Sequence, residues 1–177
     1  MKRKLLLIPY IFFLIILLIF FYLLILARDP SELPSALLNK NVPKFETESL
    51  FNEKKFISSE VFGKEIILVN FFATWCMPCR EEHIFIKRFA EEESLKIIGI
   101  NYKDNNQKTI EWLKKLGNPY SNVILDKNGT IAIDWGVYGI PETFIVDKKG
   151  VIKYRQAGPI SDEIYKKINL IINEIEK

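Results

Sequence analysis

The fold is decided by one stretch of sequence, EIILVNFFATWCMPCREEHIFIKRFA, at residues 65–90. Its first part, residues 65–72, is a largely apolar run of strand length, which is typical of a strand buried on both faces. A C-x-x-C motif formed by Cys76 and Cys79 follows directly after Trp75. The rest of the stretch has the periodicity of a helix. The sequence therefore predicts a buried strand, a turn that carries two thiols, and a helix that begins at the motif.

The remainder of the chain continues the alternation of strands and helices and ends with a hairpin and a helix. The patterns predict strands at Leu95–Asn101 and Val123–Leu125, helices at Asn106–Leu116 and toward Trp135, hairpin strands at Thr143–Val146 and Val151–Gln156, and a closing helix over Ser161–Glu176. The buried side of the closing helix is predicted to consist of Ile164, Ile168, Leu170, Ile171, Ile172 and Ile175. This order of elements describes an α/β sandwich.

The amino-terminal segment differs in composition from the rest of the chain. Residues 5–27 carry no charge, and 23 residues of helix are long enough to cross a hydrocarbon core of about 30 Å. A cleaved signal peptide is the alternative, but its apolar region is usually shorter and ends in small residues. We expect an uncleaved anchor with a cytoplasmic amino terminus, because the basic residues precede the span. The predicted boundaries are a flank at 1–4, an anchor at 5–27, a tether at 28–43 and a domain at 44–177.

The charge balance argues against nucleic acid as a partner. The net charge of the chain is +3, and all of this excess lies in Lys2, Arg3, Lys4 and Arg28, at the ends of the apolar segment. The remaining chain has 21 basic and 22 acidic residues. Such a domain has no strong positive field with which to hold phosphate backbones.

The chain contains only two cysteines, and both belong to the C-x-x-C motif. A structural disulfide stabilises more when it closes a longer loop, and a zinc site needs four ligands where this chain offers two thiols and His83. A redox pair needs two thiols close together, with the first at a helix start, where the pKa of a thiol is lowered. We therefore expect Cys76 to attack and Cys79 to resolve the mixed disulfide, without a metal or other cofactor. Trp75 is either a core aromatic or a wall of the substrate groove.

Several segments together resemble one family. These are residues 70–76 and 79–83 around the motif, 101–104, 112–120, and 136–147 with Tyr154 and Arg155 beyond. They are similar to the DsbE/CcmG family of membrane-anchored thioredoxin-like proteins across almost all of the chain. The resemblance implies a thioredoxin-like fold, in which a central mixed sheet is flanked by helices and preceded by one transmembrane helix.

The resemblance also implies roles for individual residues. Pro141 would be a cis-proline that faces the cysteine pair, whereas the alternative from the sequence alone is a trans-proline turn. Glu82 and Glu142 would be the acidic groups around the pair, and Tyr138 would shape the groove with Pro141. Ordinary thioredoxins have a buried Asp where this chain has Asn70, which favours an acid–base role for the two glutamates. On residue type alone, the alternative that Glu82 is a solvated acid on the helix surface is as well supported as the acid–base role.

By the same resemblance, the chain would be a periplasmic reductant held at the inner membrane. It would keep the haem-attachment cysteines of apocytochrome c reduced, receive electrons from a membrane thiol-reductant transporter of the DsbD/CcdA type, and work beside other cytochrome c maturation components. Two alternatives stay open: a more general reductase of envelope proteins, and a copper chaperone that uses the thiols as soft ligands. An oxidase direction is also compatible with the sequence, because the motif does not set the direction of electron flow.

Overall fold

A computed structural model describes residues 8–26, 37–52, 54–92 and 95–176. The chain divides into two compact units, residues 1–32 and 33–177. In the first unit the helix α1 covers Ile8–Leu26. Among the described residues, none of the helices combines the length and the apolar character required of a membrane span.

The second unit is built on a five-stranded mixed sheet. Its strands are β3 (Ile67–Phe72), β4 (Lys96–Tyr102), β5 (Asn122–Asp126), β6 (Glu142–Val146) and β7 (Ile152–Ala157), in the order β5-β4-β3-β6-β7. The strands β3, β4 and β5 are parallel, whereas β6 runs antiparallel to β3 and β7 antiparallel to β6. The central strand is β3, and all six of its residues are buried, as the apolar run predicts.

Helices cover the two faces of this sheet. One face carries α3 (Met77–Glu91), α4 (Asn106–Leu116) and α6 (Asp162–Glu176), whose apolar sides share a core with Leu68, Phe72 and Ile97. The other face carries the short helices α2 (Ser58–Val61) and α5 (Thr130–Asp134), packed around Trp135. Because side chains alternate between the faces of a strand, the central strands β3, β4 and β6 each contribute residues to the cores on both faces of the sheet. The predicted alternation of strands and helices and the terminal hairpin are confirmed.

The beginning of the second unit pairs with the sheet edge. Backbone hydrogen bonds join Asn39 N to Ile152 O at 2.7 Å and Val42 N to Gly150 O at 2.9 Å. These residues fall in the segment that the sequence assigns to the tether, so in the structure the folded unit already includes residue 39. Two further strands that the sequence patterns do not predict, β1 (Glu46–Thr47) and β2 (Phe56–Ile57), form a small antiparallel pair.

The closing helix corrects one sequence prediction. Ser161 caps α6 by accepting a hydrogen bond from Ile164 N at 3.3 Å, and Ile168 and Ile172 are buried as expected. Leu170 is exposed instead, so its predicted place on the buried side is wrong. At 3.6 residues per turn, Leu170 lies two residues and about 200° from Ile168, on the opposite side of the helix.

Candidate redox site

The two cysteines lie at the start of α3, directly after the turn that follows β3. Cys76 Sγ and Cys79 Sγ form a disulfide of 2.03 Å. Cys76 is the N-cap of the helix, and its sulfur accepts a hydrogen bond from Cys79 N at 3.2 Å. Both side chains are nearly buried, Cys76 slightly less than Cys79. A sulfur at this place lies next to the unpaired backbone amides and the positive end of the helix dipole. Both stabilise its anionic form after reduction.

The loop before β6 completes the surroundings of Cys76. The Ile140–Pro141 peptide bond is cis, which confirms the prediction made from the resemblance. Because β6 is antiparallel to β3, with Glu142 opposite Phe71, it begins at the end of the sheet where β3 stops. This places Ile140 O 3.7 Å from Cys76 Sγ. The loop therefore presents backbone groups beside the sulfur.

Glu82 is buried one turn along α3 from Cys79. Its Oε1 accepts a hydrogen bond from Asn70 Nδ2 at 2.8 Å, and its Oε2 accepts one from Ile160 N at 3.0 Å. Asn70 is itself held by Tyr120 OH, which donates to Oδ1 at 2.9 Å, and by Thr143 Oγ1, which accepts from Nδ2 at 3.1 Å. Burial raises the pKa of Glu82 to about 8, against the smaller opposing effect of the two hydrogen bonds. The interpretation of Glu82 as a solvated surface acid is therefore wrong.

Glu142 is equally buried, but its environment is different. It forms a bidentate ion pair with Arg155, in which Nε donates to Oε2 at 2.8 Å and Nη2 donates to Oε1 at 2.9 Å. Its Oε1 also accepts hydrogen bonds from Tyr138 N at 2.8 Å and Gly139 N at 3.4 Å. The carboxylate thus ties the loop that ends at Pro141 to the strand β7. These contacts hold the loop in place, and the predicted acid–base role of Glu142 stays a prediction.

Three large side chains around the disulfide are exposed. Trp75, Met77 and Tyr138 have exposed fractions of 59, 65 and 72%. The core interpretation of Trp75 is therefore wrong, and its role as a groove wall stays a prediction. Tyr138 is partly oriented, because the guanidinium of Arg155 lies 4.6 Å from the centre of its ring. Exposed aromatic rings beside a reactive group are suited to contact a protein partner.

His83 lies inside the domain and does not join the cysteines in a cluster of ligands. Its Nε2 is 2.9 Å from Gly117 O, and its ring packs against Trp112 with centroids 4.4 Å apart. Burial lowers the pKa of His83, which favours the neutral ring. Across the described parts of the chain, no group of three or more His, Cys, Asp or Glu side chains is arranged to hold a metal ion.

Sequence reasoning missed several residues that organise the site. Arg155 and Tyr120 were noted only as parts of matching segments, yet they hold Glu142 and Asn70. Asp104 likewise appeared only within the matching segment 101–104, although its carboxylate accepts hydrogen bonds from both the amide and the hydroxyl of Thr74, two residues before Cys76. The segment of residues 101–104 follows a predicted strand that is parallel to the motif-bearing strand. Since the carboxyl ends of parallel strands meet at one edge of the sheet, that position was an available signal.

Comparisons with known proteins agree with this geometry. A family described as Redoxin matches residues 37–169. The thiol:disulfide interchange protein DsbE of Escherichia coli (strain K12) is 44% identical over 172 residues, which cover 93% of this chain and 91% of that protein. DsbE of Haemophilus influenzae is also 44% identical, over 168 residues that cover 93% of this chain and 92% of that protein.

Solved structures share the fold at lower identity. A crystal structure described as a thiol:disulfide interchange protein DsbE from Chlorobium tepidum has a TM-score of 0.70 and 17% identity, and the match covers 82% of this chain and all of that one. At this identity the likeness supports the thioredoxin-like fold alone. The chain therefore has an α/β thioredoxin-like fold with a central mixed sheet and flanking helices.

Proposed function

The chain belongs to the DsbE/CcmG family and is a thiol–disulfide oxidoreductase, and from this premise we propose that it reduces the haem-attachment disulfide of apocytochrome c. The observation that carries the proposal is the position of Cys76 at the start of α3, beside the backbone of Ile140 and the cis-proline loop. An extended peptide can pair with such a backbone edge while its own sulfur approaches Cys76.

The reaction follows from two thiols at this place. In the reduced protein, the Cys76 thiolate attacks one sulfur of the substrate disulfide, forms a mixed disulfide, and releases the other substrate sulfur as a thiolate that takes up a proton. The Cys79 thiol then loses its proton and attacks Cys76 Sγ, which forms the internal disulfide and releases the second substrate thiol. Two electrons pass to the substrate. We propose that a membrane thiol-reductant transporter of the DsbD/CcdA type restores the dithiol.

Glu82 is proposed to move the proton of Cys79. It lies three residues after Cys79, which places the two side chains on one side of the helix. Burial raises its pKa to about 8, so its proton is exchangeable near neutral pH, and neither of its hydrogen-bond donors is a cation that would stabilise the ionised form. In its ionised form such a carboxyl group can accept the proton of the resolving thiol, and in its protonated form it can return that proton when the disulfide is reduced again. Glu142, which is bound to Arg155, holds the cis-proline loop, and its acid–base role stays part of the proposal.

The location of the reaction is part of the same proposal. We propose that residues 5–27 anchor the chain in the inner membrane, that residues 1–4 stay in the cytoplasm, and that residues 28–43 lead from the anchor to a periplasmic domain at 44–177. The last residues of this connection, from residue 39 onward, already pair with the sheet of that domain. Support comes from the uncharged run of 23 residues, with Lys2, Arg3 and Lys4 before it. Residues 5–7 and 27 of this run lie outside the described residues. Cytochrome c maturation components in the same membrane would be its neighbours.

The substrate is tested by trapping. In a Cys79→Ser variant of the full chain, the mixed disulfide at Cys76 cannot be resolved and should accumulate with apocytochrome c. The matched control is Cys76→Ser, which lacks the attacking sulfur and should trap no partner. Cells that carry Cys76→Ser should also fail to assemble holocytochrome c. Normal haem attachment in those cells would refute the cytochrome role, and a trapped set of unrelated envelope proteins would favour a general reductase.

A further inference from the structure

The turn before Cys76 is held by a side chain from a neighbouring strand. Asp104, in the loop after β4, accepts a hydrogen bond from Thr74 N to Oδ2 at 2.6 Å and one from Thr74 Oγ1 to Oδ1 at 2.9 Å. Within the turn itself, Cys76 N donates to Ala73 O at 3.2 Å. The carboxylate of Asp104 therefore contributes two hydrogen bonds that hold the turn leading into the first cysteine.

The loop that carries Asp104 is itself fixed. Asn101 Nδ2 donates to Asp104 Oδ2 at 3.2 Å, and the buried Asn101 also accepts from Thr109 Oγ1 at 3.1 Å. Lys103 adopts a positive φ of 45°, an uncommon conformation for a residue with a side chain, and its amide donates to Asp126 O at 3.0 Å. A residue held in such a conformation indicates that the surrounding contacts over-determine the loop.

The same loop also orients the aromatic ring beside the disulfide. Trp75 Nε1 donates a hydrogen bond to Lys103 O at 3.3 Å, and the Trp75 ring lies 6.4 Å from that of Tyr102. The backbone of Thr74 and the ring of Trp75 are therefore both held by residues 102–104. These two groups stand immediately before the sulfur of Cys76 in the chain.

From these contacts we propose that Asp104 is a positioning residue for disulfide exchange, which acts through Thr74 to hold the Cys76 sulfur in line with an incoming disulfide. The inference rests on the proposed role of Cys76 as the attacking thiol. Exchange requires the attacking, central and leaving sulfurs to align, so small displacements of the first sulfur cost rate. Asp104 touches no reacting atom and would act only through the turn.

Because Asp104 is charged, an electrostatic role and a positioning role predict opposite changes in the rate of exchange when the charge is removed. A carboxylate near a thiolate opposes the ionisation of the thiol, so removing its charge by Asp104→Asn would speed exchange if charge were its only effect. If Asp104 positions the turn, the same substitution slows exchange, because the amide group replaces one acceptor oxygen with a donor. We expect the rate constant of the reduced full chain with a disulfide-bonded peptide to fall about tenfold in Asp104→Asn. The rate constant of Thr74→Val, which lacks the hydroxyl, should fall less, and that of Thr74→Ser should stay normal.

Asp147→Asn is the matched control. Asp147 accepts hydrogen bonds from Lys149 N at 2.8 Å and Val151 N at 2.9 Å in the β6–β7 hairpin, at the opposite end of the sheet from the cysteines. It should lower the melting temperature as Asp104→Asn does but leave the exchange rate unchanged. A faster or unchanged Asp104→Asn variant, or an equal loss of rate in both variants, would overturn the inference. A separate measurement tests the proposed function: the unsubstituted protein should have one fast-reacting thiol, and Cys76→Ser should lack it. If Cys76→Ser keeps that thiol, the proposed function is wrong whatever the result for Asp104.

Discussion

Asn70 Nδ2 and Glu82 Oε1 are joined by a buried hydrogen bond of 2.8 Å between the central strand and the helix that carries the cysteines. The amide of Asn70 cannot supply a proton or a positive charge, whereas the carboxyl of Glu82 can hold a proton. Tyr120 OH fixes which end of the amide faces Glu82, because it donates to Oδ1. The ionisable group at this place therefore belongs to the helix and not to the strand.

The pH dependence of stability should change when Glu82 is replaced by Gln. The pKa of Glu82 is raised from 4.5 to about 8 on folding, so the folded state binds more protons than the unfolded state between these values. The stabilisation that protonated Glu82 contributes is then fully present below pH 4.5 and is lost as the pH rises through 8. The free energy of unfolding changes there with a limiting slope of about 1.4 kcal/mol per pH unit. Glu82→Gln should lack this loss. Urea unfolding followed by the fluorescence of the buried Trp112 and Trp135 measures it.

The comparison isolates Glu82, because both proteins retain His83. Burial lowers the pKa of His83, so its contribution is present above pH 6.5 and is lost as the pH falls. It therefore acts equally in the two proteins. If the two stability curves stay parallel from pH 5 to pH 8, Glu82 does not keep its proton in the folded state.

An Asn70→Asp substitution should destabilise the fold, and more so at high pH. The new carboxyl would lie at hydrogen-bond distance from Glu82 Oε1, and two buried carboxylates there repel each other. We expect a loss of about 3 kcal/mol at pH 8, as for other uncompensated buried charges, and a smaller loss at pH 5, where the pair can share a proton. Asn122→Asp, at a partly exposed position on β5, is the control and should cost less than about 1 kcal/mol. Equal losses for the two variants at pH 8 would contradict the burial of Glu82.

Removing Arg155 should be costly because it leaves the buried carboxylate of Glu142 without its cation. For Arg155→Met we expect a loss of about 3–5 kcal/mol in the free energy of unfolding, measured with urea. The double substitution Glu142→Gln with Arg155→Met should recover much of this loss. Lys96 and Glu65 form an exposed pair at 2.7 Å, so Lys96→Met should cost about 1 kcal/mol or less. A loss for Arg155→Met as small as that of the exposed pair would refute the inference that this ion pair holds the loop.

Tyr138→Ala should weaken the recognition of a protein substrate more than the chemistry of the thiols. The ring is exposed beside the cis-proline loop, so we expect KM for a disulfide-bonded peptide to rise about tenfold, while the reaction with glutathione disulfide stays within about twofold. Ile133, on α5, is 74% exposed, and Ile133→Ala serves as the control of similar exposure. A loss of rate that is equal for the peptide and for glutathione disulfide would place Tyr138 outside substrate recognition.

Local patterns were sufficient to predict the α/β class and the redox pair, whereas the thioredoxin-like mixed sheet followed from the family resemblance. The apolar run of β3 and the helical periodicity after Cys79 are properties of neighbouring residues, and so is the spacing of the two thiols. The cis-proline at Pro141 followed from the resemblance between segments of sequence. Leu170 shows the limit of such patterns, because an apolar residue can occupy a helix position that faces away from the core.

Glu82 and Glu142 show what only the tertiary structure decided. The family resemblance assigned both residues to one role, but Glu82 meets the neutral amides of Asn70 and Ile160, whereas Glu142 meets the cation Arg155. The protonation of a buried carboxyl depends on these partners, and Ile160 stands 78 residues from Glu82 in the chain. The sequence by itself determined the five strands of the main sheet, the helices that follow them and the place of the two thiols. Folding decided which carboxyl lies among neutral amides and which is paired with a cation, because only the packed chain brings those partners together.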